Sequence, residues 1–139
     1  MNAKRFILAV VAVYVVAQLL NYLIHQVWLA PTYGSLASVW RPEADMLSKM
    51  WLLFVTSAFF CVFFVYIFVR GYQNRGIGEG LRYGLVIGLF YSLPQAYEAY
   101  VIYPIPYYLA LQWFLSKLVV SVILRVVAAL IYKPATAAG

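Results

Sequence analysis

Four long apolar stretches fill most of this chain, and they limit its fold more than any other feature. Crossing the hydrocarbon layer of a bilayer takes about 20 apolar residues, and in lipid the backbone must satisfy its own hydrogen bonds by coiling. The stretches Phe6 to Leu29, Leu47 to Val69, Tyr83 to Tyr103 and Tyr107 to Tyr132 each qualify. What remains is two moderate connections, one short turn and a tail, so a soluble domain has no room in 139 residues. Composition supports this: 66% of residues are hydrophobic and 10% charged, against about half and a quarter in a soluble domain. The expected fold is all-α and membrane-integral. It is a single domain, 1–139, formed by an antiparallel bundle of four transmembrane helices at about 6–29, 42–69, 83–103 and 107–132.

Lys4 and Arg5 before an apolar run resemble the start of a signal peptide, but the run is too long for one, so the segment is expected to stay. Positive residues set the expected orientation. Lys4, Arg5, Arg70, Arg75, Arg82 and Lys133 share one side, while Arg41 and Lys49 on the other are balanced by Glu43 and Asp45. Both termini are therefore expected in the cytoplasm, and the membrane is expected to be a bacterial inner (plasma) membrane. The net charge of +6 is spread between apolar segments without a basic stripe or nucleic-acid motif, so no nucleic-acid partner is expected. "RPEADM" from Arg41 reads as a helix start, with Pro42 at the first helical position and two acids in the first turn, on the positive end of the helix dipole. The segment from Ala30 to Trp40 reads as an interfacial loop. "YPIPYY" reads as a tight turn between two antiparallel helices.

Polar residues inside the apolar stretches carry the functional information, because lipid penalises them unless they are paired. Tyr14, Gln18, Asn21 and His25 fall on one face of the first helix. Tyr91, Gln95 and Glu98 form a similar stripe on the third. Lys117, Ser121 and Arg125 are spaced by one turn each on the fourth. At 1.5 Å per residue, Glu98 and His25 lie about 6–7 Å below the outer boundary, and Lys117 lies about 15 Å deep. Helical side chains lean toward the helix N-terminus, which is outward for Lys117. His25, Gln95, Glu98, Gln112 and Lys117 are thus expected to share a polar pocket in the outer half of the bundle. That pocket is either a Glu98–Lys117 ion pair fixing helix register, a site for a proton, ion or polar ligand, or a contact with a partner subunit. Gln18, Asn21, Ser121 and Arg125 form a secondary polar set. Arg125 is expected either to bind carbonyls within the bundle or to snorkel inward. Pro94 is expected to bend the third helix beside Glu98.

Gly76, Gly80, Gly84 and Gly88 recur every fourth residue. Small residues at that spacing let two helix backbones approach closely, so Gly80, Gly84 and Gly88 are expected to pack against another helix. The single cysteine, Cys61, precludes an internal disulfide, and one histidine cannot provide two axial ligands to a haem. The spacing of acids matches no metal pattern, and no nucleophile–base pair or phosphate loop is present. No enzyme activity, metal or cofactor is expected.

The run "NYLIHQVWLAPTY", then "VWRPEADM", then "GYQNRGIGEGLRYGLVIGL" resembles small uncharacterised bacterial four-span membrane proteins over nearly the whole chain. That resemblance implies the four-span fold and no particular activity. In size and span count the chain is also similar to small multidrug transporters. Those carry an essential glutamate in the first helix, whereas here the intramembrane glutamate, Glu98, is in the third. Three readings follow, in this order. The first is a binding or accessory bundle whose partners are the lipid bilayer and either a second copy or a larger membrane complex. The second is a small proton- or ion-coupled carrier using Glu98. The third is a subunit contributing a quinone or enzyme site around His25.

Overall fold

A computed structural model describes residues 1–73 and 77–132 of the chain. Helix α1 (Ala3–Tyr22) starts at Asn2, whose side chain accepts the Arg5 backbone N–H at 3.0 Å. It continues into a π-helical turn, Leu23–Trp28, closed by Leu29 N–H donating to the Ile24 carbonyl at 2.8 Å. Residues 30–40, expected to be an interfacial loop from their proline, glycine and serines, are largely helical. They coil into α2 (Ala30–Ser35) and a 3-10 turn (Ala37–Val39). Pro31 sits in the first turn of α2, where a missing N–H costs nothing.

Helix α3 (Glu43–Gly71) has Glu43 and Asp45 in its first turn, and Asp45 pairs with both Arg41 and Lys49. Pro42 stands one position earlier than expected, as the capping residue. Helix α4 (Ile77–Ile102) begins ahead of the expected Tyr83 and runs on through Pro94. The Tyr103–Pro106 link, with prolines at 104 and 106, then turns the chain into α5 (Tyr107–Ile131).

Among the described residues, three segments are long and apolar enough to cross a membrane: Ala3–Trp28, Glu43–Gly71 and Tyr107–Ile131. Helix α4 is not one of them. Ser92, Gln95, Glu98 and its tyrosines dilute the apolar run. Large apolar side chains on the outside, among them Phe54, Phe59 and Phe63 on α3, remain more than half exposed. Such a surface is costly in water and natural in lipid.

Helix α4 lies along α5, α5 also packs on α1, and α1 packs on α3. The buried core joins Ala9, Val13 and Ala17 of α1 to Cys61, Phe64, Val65 and Phe68 of α3 and to Leu124 and Ala128 of α5. Ala9, Val13 and Ala17 recur every fourth position, and the two alanines let α3 and α5 come close to α1. Asn2 N–H donates to the Tyr132 hydroxyl at 3.3 Å, so the start of α1 and the end of α5 meet at one end of the molecule, here termed the terminal end. A second cluster, Leu29, Ile105 and Leu109 with Leu36, Trp40 and Trp113 around them, closes the opposite, cap end.

The expected glycine seam divides in two. A Cβ on Gly84 would stand 2.9 Å from the Val122 Cα, and one on Gly88 would stand 2.7 Å from Leu118 Cδ1. Those two glycines seat α5 against α4. Gly80 meets a side chain instead: the space above it holds the Arg125 guanidinium. Arg75, Gly76 and the tail from Lys133 lie outside the described residues.

Candidate functional site

The α4–α5 seam fixes the antiparallel register. With Gly88 against Leu118 and Gly84 against Val122, Lys117 comes level with Tyr91 and Gln95. Lys117 Nζ donates to Gln95 Oε1 and lies 5.0 Å from the centre of the Tyr91 ring. These groups border a partly open cleft of about 650 Å³ between α1, α3, α4 and α5. The polar stripe of α1 forms the facing wall. Gln18 Nε2 donates to Ser57 Oγ at 2.9 Å, Asn21 and His25 border the cleft above it, and the buried Ser121 lies at its base. Phe54, Phe60 and Leu124 supply apolar wall.

Of the five residues expected to share one pocket, His25, Gln95 and Lys117 come together here. Glu98 does not. It is exposed on another face of α4, in a shallow apolar groove with Pro94, Tyr97 and Val101, and among the described residues it makes no hydrogen bond or ion pair. The reason is the register: Glu98 lies nearly a turn beyond Gln95, where α5 offers Phe114 and Tyr107 to its neighbour Tyr97. The expected Glu98–Lys117 pair is therefore replaced by the Lys117–Gln95 hydrogen bond. Gln112 also stands outside the cleft lining, with its Oε1 buried and unpartnered.

The sequence reading missed Tyr33. Its hydroxyl lies 2.6 Å from His25 Nδ1 and accepts the Trp113 indole N–H at 2.7 Å, while its carbonyl accepts the Trp40 indole N–H at 3.1 Å. Its ring stacks on His25, with 5.9 Å between centroids. An indole can only donate, so the Tyr33 oxygen accepts from Trp113, and its own proton is free to go to His25 Nδ1. With the Tyr33 proton in that bond, His25 is the Nε2–H tautomer, one ring nitrogen occupied by Tyr33 and the other a donor. Burial pushes the Tyr33 hydroxyl up to about 12, against the opposing pull of the Trp113 N–H, so it keeps its proton at neutral pH. The π-helical turn carries His25 into this arrangement, and such turns are rare insertions that often mark functional positions. A tyrosine followed by glycine in a supposed loop offered no sequence signal.

No family model, curated protein or solved structure matches the chain.

The assembled cleft offers a cation, an amide and an imidazole, backed by hydroxyls and aromatic faces. Among the described residues, no group of three or more acids, histidines or cysteines is arranged to hold a metal ion. Among the described residues no carboxylate borders the cleft. Among the described residues Arg125, the other cation of α5, makes no hydrogen bond to a carbonyl, and its guanidinium reaches toward the terminal end, over Gly80 and beside Tyr72. It is buried at the terminal end beneath Phe68 and Tyr72.

Proposed function

We propose that this protein is a four-span, membrane-embedded binding protein, and that its central cleft holds the polar head of an amphiphilic ligand. In this reading α4 crosses the bilayer as the fourth span, shielded along one side by α5. Its 26 residues make about 39 Å of helix. The meeting of Asn2 and Tyr132 supports an even number of crossings, with both ends on the cytoplasmic side of a bacterial inner membrane.

One observation carries the binding reading: the Lys117 ammonium borders the cleft, and among the described residues its one hydrogen-bond partner is the Gln95 amide oxygen, with the Tyr91 ring beside it. A cation at membrane depth is costly unless something compensates it. A ligand bearing an anionic or carbonyl oxygen would complete its coordination, with His25 Nε2–H as a second donor. The lipid-exposed mouth and apolar walls suit the tail of such a ligand. The carrier reading has less behind it, because Glu98 faces away from the cleft.

The test is extraction in mild detergent, with mass spectrometry of the small molecules that travel with the protein. The wild type is expected to retain an amphiphile that Lys117→Met loses, with the melting temperature of the variant unchanged or raised. A wild type carrying nothing, together with a destabilised Lys117→Met, would make Lys117 purely structural and end the binding reading.

A further inference from the structure

A second cavity of about 710 Å³ lies at the terminal end, bordered by α3, α4 and α5. Arg125 borders it and is only 6% exposed. Guanidinium is a planar group with N–H donors around its edge and no acceptor. Here aromatic rings attend it, with Cζ 5.1 Å from the Phe68 ring centre and 5.8 Å from that of Tyr72. Gly80 leaves the space it occupies. Its donors are poorly served: Nε is buried without a partner, and among the described residues Arg125 forms no hydrogen bond or ion pair. A buried cation held by aromatic rings with its donors unspent is a built half-site, since leaving such donors unsatisfied costs free energy.

The cavity supplies a second guanidinium, Arg82, on the same helix as Gly80. Among the described residues the one carboxylate that borders it, Glu79, is engaged at the connection, where it accepts the Gln73 backbone N–H at 2.6 Å. Phe68 and Val86 add apolar wall. Two arginines facing one space suit an oxyanion that takes charge-assisted, bidentate hydrogen bonds, above all phosphate. At the edge of a membrane-facing bundle, the abundant phosphate is attached to an acyl chain.

We infer that the terminal-end cavity binds a phosphate oxyanion presented as the headgroup of an anionic phospholipid, with Arg125 and Arg82 as its donors. The site is separate from the Lys117 cleft and does not depend on it. The full chain in neutral detergent is titrated with phosphatidylglycerol, phosphatidylcholine or inorganic phosphate, reading melting temperature and bound lipid by native mass spectrometry. Phosphatidylglycerol is expected to raise the melting temperature by several degrees and to remain bound, and phosphatidylcholine to do neither. Arg82→Gln, at an exposed position, should fold normally yet bind phosphatidylglycerol about tenfold more weakly, the loss of one charge-assisted contact. Lys117→Met should bind it as the wild type does, which separates failure here from failure of the cleft. Equal effects of the two lipids, or undiminished binding by Arg82→Gln, would overturn the site. Stabilisation by inorganic phosphate as strong as by the lipid would uphold the oxyanion site and overturn its lipid source.

Discussion

Lys117 and Arg125 stand about 12 Å apart on the same helix, and the protein treats them oppositely. Lys117 reaches an amide oxygen at the edge of an open cleft. Arg125 is sealed against Phe68, Tyr72 and the bare backbone at Gly80. The difference follows from the two side chains. An ammonium is a compact, strongly hydrated charge and needs a polar or wet surrounding. A guanidinium is flat and weakly hydrated, so aromatic faces can hold it while its edge waits for an anion. Both positions rest on one register, set where Gly84 and Gly88 let α4 and α5 touch.

The largest expected effect is therefore loss of that register. Gly84→Leu puts a side chain where the Val122 backbone stands and should destabilise the protein by about 3 kcal/mol or more, abolishing ligand retention at both cations together. Thermal unfolding in detergent reads the first effect and native mass spectrometry the second. A variant that kept either site intact would show that the register does not couple them. Next comes Tyr33→Phe. It strands the Trp113 N–H and frees His25 to change tautomer, and should cost about 2 kcal/mol in the same unfolding assay. It should also perturb the Lys117 cleft while leaving phosphatidylglycerol binding at Arg125 unchanged, which sharpens the separation between the two ends.

Smaller effects follow. Lys117→Met should change stability by no more than about 1 kcal/mol, because it removes a costly cation along with its amide bond. Gly78→Ala meets open space and should stabilise α4 by about 0.5–1 kcal/mol, in contrast to any substitution at Gly84. Glu98→Gln should leave the melting temperature and cleft ligand where they are, since Glu98 has no described partner. A drop of several degrees would return Glu98 to the site.

Much of the helical scaffold was legible in the residues. "RPEADM" marks the start of α3 to within a residue, and "YPIPYY" marks the turn into α5. Half of the candidate site was legible as well. The spacing of Gln18, Asn21 and His25 put them on one face, and that face does line the cleft. Glu98 misled because helical periodicity gives direction around an axis but not the height at which a neighbouring helix presents its side chains. Tyr33 escaped because its role comes from three partners, two of them, Trp40 and Trp113, brought in from separate segments.

The sequence by itself pointed to a helical chain with four long apolar segments, three of which stand as helices apolar enough for a bilayer, and to a few polar groups that need company. Those properties are local: length, composition and period act within one segment. Only the tertiary structure decided which company each polar group keeps. A contact between helices depends on register, and register was set by the absence of two side chains at Gly84 and Gly88. Lys117 consequently met Gln95 instead of Glu98, and Arg125 was left among aromatic rings with its Nε unpartnered among the described residues.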